Sequence, residues 1–158
     1  MNGGLVQRFL RCVPMKRFAL FLLIACFSLG ANARLVRTVS FDELRGEADL
    51  IVIATPVAVK EITEHDPLPG LEGNKLVKSS GIETTFKILT ALKGGATLNN
   101  FILYHYSVTG PQANGPNLVS FNPDQKKTYL LFLRLAPDGR YITVSGQIDP
   151  DISVREIK

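Results

Sequence analysis

The stretch Gly81-Ile82-Glu83-Thr84-Thr85-Phe86-Lys87-Ile88-Leu89-Thr90-Ala91-Leu92-Lys93 alternates in polarity. Ile82, Phe86, Ile88 and Leu92 fall on one face, with Thr84 and Thr90 between them. Glu83, Thr85, Lys87 and Lys93 fall mainly on the other. Successive side chains of a strand point to opposite faces, so this pattern predicts a half-buried β-strand over residues 81–93. Gly94-Gly95 ends it.

Downstream the same logic repeats. Residues 100–108 read as a strand with Ile102, Tyr104, Tyr106 and Val108 on one face and Leu103, His105 and Ser107 on the other. Residues 109–117 hold Gly110-Pro111 and Gly115-Pro116 and read as a loop; residues 118–121 are expected to add a short strand. Asn122-Pro123-Asp124 is turn chemistry. Residues 128–136 are apolar on both faces, and Pro137-Asp138-Gly139 makes a tight turn into a return strand over 141–145. Asp149-Pro150-Asp151 precedes a last short strand over 152–157.

Upstream, residues 63–80 contain Pro67, Pro69, Gly70, Gly73 and Asn74 without a sustained period, the mark of a long loop. Residues 49–62 are rich in β-branched side chains and predict a strand, buried on both faces at its start. Pro56 cannot donate to a ladder and should mark a bulge or an edge. Ser40-Phe41-Asp42-Glu43 carries the capping-box pattern, so a helix should start there, and Gly46 limits it to one or two turns. Five principal strands and one short helix predict a mostly β chain, a small five-stranded barrel closed on itself, with a two-layer β-sandwich as the alternative.

The first 33 residues read as a secretory signal: a basic stretch (Arg8, Arg11, Lys16, Arg17), an apolar run over 18–27, and Ala31-Asn32-Ala33. The expected mature domain is residues 34–158, with translation starting at Met1 or Met15 and an extracytoplasmic location, periplasmic or secreted. The apolar run is shorter than the roughly 20 residues a membrane span needs, so no transmembrane anchor is expected. Leu23-Ile24-Ala25-Cys26 resembles a bacterial lipobox, which makes a lipid anchor at Cys26 the alternative.

Charge changes meaning without the leader. The whole chain has 18 Lys and Arg against 14 Asp and Glu, and four of the basic residues precede position 34, which leaves 18 − 4 = 14 against 14. A neutral domain gives no basis for nucleic-acid binding. Both cysteines, Cys12 and Cys26, lie in the leader, so residues 34–158 offer no disulfide, thiol nucleophile or thiolate ligand.

The order of Asp42, Ala48-Asp49-Leu50-Ile51-Val52, Phe86-Lys87-Ile88, Leu92-Lys93-Gly94, Lys127-Thr128-Tyr129-Leu130-Leu131 and Asp138-Gly139-Arg140-Tyr141-Ile142 resembles the N-terminal domain of tissue inhibitors of metalloproteinases. The resemblance implies a netrin-like OB-fold barrel. Leu92-Lys93-Gly94, the strand from Tyr129 to Leu133, and the segment from Gly146 to Pro150 also look like exported bacterial proteins of uncharacterised function. Those inhibitors hold the protease zinc through an N-terminal Cys-x-Cys. A chain beginning at Arg34 has no cysteine, so the resemblance implies the fold and not the inhibitory chemistry.

Two histidines are the candidate titrating groups. His65 sits among carboxylates in Glu61-Ile62-Thr63-Glu64-His65-Asp66, a setting for a divalent cation but without a fixed ligand spacing. His105 lies between two tyrosines and, without a Gly-x-Ser-x-Gly elbow, no triad supports it. Asp149-Pro150-Asp151 lacks the further acids of a calcium site. Tyr104, Tyr106, Tyr129 and Tyr141 offer either an aromatic platform or core packing. No catalytic residue, cofactor or metal is assigned. The expected function is an exported, non-enzymatic binding domain for a protein or small-molecule partner, with residues 63–80 and 109–117 as its contact surface. The alternatives are a hydrolase or metal-dependent enzyme using His65 or His105, and protease inhibition by analogy of fold.

Overall fold

The fold was analysed in a computed structural model that describes residues 38–62, 68, 78–109 and 115–158. The leader with Cys26, the processing site at Ala33, His65 and most of the two long loops lie outside the described residues.

Helix α1 (Phe41–Glu47) starts where the capping pattern places it: the Ser40 hydroxyl accepts from the Glu43 N–H at 3.1 Å. At its other end the Lys93 ammonium donates to the carbonyls of Arg45 (2.9 Å) and Gly46 (3.2 Å), groups with no partner inside the helix. Leu44 and Ala48 pack on Ile51 and Phe132, so α1 covers the outer face of two strands.

Six strands follow: β1 (Leu50–Ile62), β2 (Lys78–Lys93), β3 (Asn100–Thr109), β4 (Thr128–Leu135), β5 (Tyr141–Thr143) and β6 (Val154–Ile157). Their order is β1-β2-β3-β5-β4, and β4 pairs back to β1, which closes a five-stranded mixed barrel compatible with an OB-like fold. That closure replaces the two separate sheets of a sandwich. All pairings are antiparallel except β3–β5, a single parallel pair at Leu103 and Tyr141.

β5 and β6 share one edge of β4. The first pairs with residues 133–135 and the second with residues 128–131. Between them the chain leaves the sheet. Hydroxyls hold this excursion: Thr143 Oγ1 donates to the Gly146 carbonyl (2.7 Å), Ser145 Oγ to the Asp149 carbonyl (2.7 Å), and Ser153 Oγ accepts from the Ser145 N–H (2.8 Å). A 3-10 turn (Pro150–Ser153) occupies the first residues of the expected last strand, which begins at Val154.

The barrel interior is filled by Leu50, Val52 and Ala54 of β1, Phe86 of β2, Phe101 and Leu103 of β3, and Tyr129, Leu131 and Leu133 of β4. The Phe86 ring stacks on Phe101 (5.3 Å) and meets Phe121 edge-on (4.9 Å). Pro56 marks a bulge, with a register shift between Pro56 and Ala58. The β1–β4 ladder ends at Ala54, so the missing N–H of Pro56 falls beyond it.

Three further sequence expectations are corrected. Residues 118–121 form no strand, although Phe121 is buried. Leu92, expected on the core face, is 58% exposed, because register shifts between Ile51 and Val52 and between Ile53 and Ala54 break the alternation of β2. β2 begins at Lys78 and runs through Gly81, where a Cβ would meet the Tyr104 ring at 3.0 Å. Of the two readings of Tyr104 and Tyr106, packing holds: both are buried, on the outer face of β3, while the interior face carries Phe101, Leu103 and His105.

The open end of the barrel

β1 continues past its last β4 partner, so one wall of the barrel stops while β1, β2 and β3 go on. The register sets Val59 opposite Thr84 and Ile82 opposite His105. Directly opposed residues share a face, so these four side chains line the inner surface at this end. The irregular segment 116–121 lies across them. Between segment and sheet is a cavity of about 390 Å³, lined by Val59, Ile82, His105, Val119, Ser120 and Phe121 among others. The mouth of a small barrel is a common seat for ligands.

His105 forms the buried part of that lining at 3% exposure, and its Nε2 shares a 2.9 Å hydrogen bond with Thr84 Oγ1, which is fully buried. The ring meets Phe121 edge-on at 5.2 Å. Burial disfavours the charged form and pushes the imidazole down to about 4, against a smaller opposing pull from the Tyr106 backbone. The Nδ1 atom is buried and has no hydrogen-bond partner among the described residues. At neutral pH the ring is therefore uncharged, with Nε2 engaged by Thr84.

The remaining candidates fall elsewhere. Tyr104 and Tyr106 are covered by Leu68, a fully buried residue whose N–H donates to Ser79 Oγ at 3.0 Å. Arg140 lies 4.3 Å from the Tyr104 ring centroid and pairs with Asp138 (2.6 Å) and Glu83 (3.4 Å), which clamps the β4–β5 turn onto this outer face. The Arg140 guanidinium and backbone hold the Asp138 carboxyl below the usual carboxylate range. Tyr129 is inside the barrel, and Tyr141 packs edge-on against Phe101 at 5.7 Å. The four tyrosines thus do not converge. Asp149 and Asp151 belong to the 3-10 turn, and among the described residues no three His, Cys, Asp or Glu side chains gather as a metal site. Nor is any helix of those residues long and apolar enough to cross a membrane.

Sequence reasoning missed Thr84 and the segment 116–121. Thr84 was visible as a polar residue on an otherwise apolar face, and His105 as its counterpart one strand away. The sequence predicts a strand over residues 118–121, whereas the segment is irregular and covers the barrel end because Phe121 anchors it in the core.

No protein-family model matches the chain, and no curated protein sequence matches it. The functional reading therefore rests on the barrel and its cavities.

Proposed function

We propose that residues 34–158 form an exported, non-enzymatic binding domain that seats a small ligand at the open end of the barrel. The observation that carries this reading is the cavity between the segment 116–121 and the β1–β2–β3 wall, with His105 in its lining. The position supports binding, because a ligand there meets apolar side chains (Val59, Ile82, Phe121) together with a few polar groups, among them the Ser107 and Ser120 hydroxyls. Both long loops join the structure close by, after Ile62 and before Pro116.

The electrostatics favour binding over acid–base catalysis. A general base works best with a pKa near the operating pH. His105 is far below it, and its leading perturbation is burial, with no carboxylate contributing. The export signal supports a periplasmic or secreted location, and the order of motifs supports a netrin-like relationship within the OB-like class.

Native mass spectrometry of the exported protein, purified without denaturation, tests the reading. The expected result is a bound small molecule that is lost in Ser120→Trp, a change at an exposed residue of the cavity rim. Equal retention by Ser120→Trp would place binding elsewhere.

A further inference from the structure

A second cavity, of about 540 Å³, opens on the outer surface, between α1 and the last residues of β2. Ile51, Leu130 and Phe132 are among its lining residues, and Phe41 and Leu92 line it while standing 61% and 58% exposed. The Phe41 ring meets Phe132 edge-on at 5.2 Å, which holds it upright beside the groove. Leu92 has no partner in β1: Ala91 pairs with Val52 and Lys93 with Ile51. Bulges usually serve to re-aim a side chain, and this one turns a large apolar group toward solvent.

Charge says what the groove suits. Among the described residues two of the lining are cationic, Arg45 and Lys93, and none is acidic. The Lys93 ammonium donates to carbonyls of α1 only, and neither cation has a carboxylate partner among the described residues. A hydrophobic trough with two unneutralised cations complements a molecule that is apolar along its length and anionic at one end. A peptide fits less well. Each of its residues brings an N–H and a C=O that need partners on desolvation, and this lining offers mainly apolar side chains.

We propose that the groove binds a long-chain carboxylate, with the chain against Phe41, Leu92 and Phe132 and the carboxylate at Arg45 and Lys93. This site is separate from the open end of the barrel and does not rest on the function proposed for that end.

The test is calorimetric titration of the purified protein with dodecanoate, dodecanol and dodecyltrimethylammonium, each below its micellar concentration. Dodecanoate is expected to saturate at one per chain, dodecanol to bind at least about tenfold more weakly, and the cation not to saturate. Arg45→Glu should weaken dodecanoate by about tenfold or more and leave dodecanol unchanged. Leu92→Asp should abolish binding of both. Leu135→Asp, at an apolar position 51% exposed and outside the groove, is the control and should bind normally. Equal affinity for all three amphiphiles, or none for dodecanoate, overturns the proposal. Tighter binding of an acetylated apolar peptide with a free C-terminus overturns it in favour of a protein partner. Self-association that Leu92→Asp abolishes, without dodecanoate binding, overturns it in favour of a second copy.

Discussion

Thr84 Oγ1 lies 2.9 Å from Nε2 of His105, across β2 and β3, with both side chains buried inside the barrel wall. The burial of His105 makes stability depend on pH. The folded imidazole has a pKa of about 4 against 6.5 in the unfolded chain, so the fold favours the neutral form. Stability from this group is complete above about pH 6.5, falls progressively between pH 6.5 and 4, and is gone below 4. The difference between 6.5 and about 4 corresponds to a loss on the order of 3 kcal/mol. Urea denaturation at pH 7.5 and pH 4 should show it, and His105→Gln should remove most of this histidine's part of the difference. Identical pH dependence in the two proteins would mean that His105 does not carry it.

Phe86 is fully buried among Phe101, Phe121 and Tyr129, whereas its neighbour Lys87 is exposed. Phe86→Ala should cost roughly 3–5 kcal/mol, and Lys87→Ala less than about 0.5 kcal/mol. Denaturant midpoints measure both. Similar losses at the two positions would contradict the assignment of the strand faces.

This prediction uses what was plainly readable. The alternation around Phe86 identified the central strand of β2, and Ser40 with Glu43 identified the start of α1, because both are local signals. Leu92 was misread because bulges are set by pairing with β1, which the run of residues does not record. Both faces of β3 are buried, one inside the barrel and one under Leu68, so alternation alone does not tell which face lines the interior. Neither cavity was legible. One depends on where β4 stops, and the other on how α1 lies on β1 and β4.

Gly94 has φ +65°, and a Cβ there would overlap the carbonyl oxygen of Asp49; Gly139 has φ +84° with open space around it. Gly139→Ala should therefore cost roughly 1–2 kcal/mol from backbone strain alone. Gly94→Ala should cost clearly more, since strain and overlap act together. Melting temperatures of the two variants settle the ranking, and equal shifts would contradict it.

The tripeptide Ala31-Asn32-Ala33 after a short apolar run predicts a mature N-terminus at Arg34. Intact-mass measurement of the exported form should give a chain of residues 34–158. A lipidated Cys26 would replace this with the lipoprotein reading, and an intact leader would contradict both.

The claim that the open end of the barrel is the binding seat is tested most directly by amide ¹H–¹⁵N spectra recorded during titration with a small-molecule fragment library. Binding fragments should shift Val59, Ile82, His105 and Ser120 together, with slow or fast exchange that Ser120→Trp suppresses. Shifts confined to other surfaces, or unchanged by Ser120→Trp, would contradict the assignment of this cavity as the site.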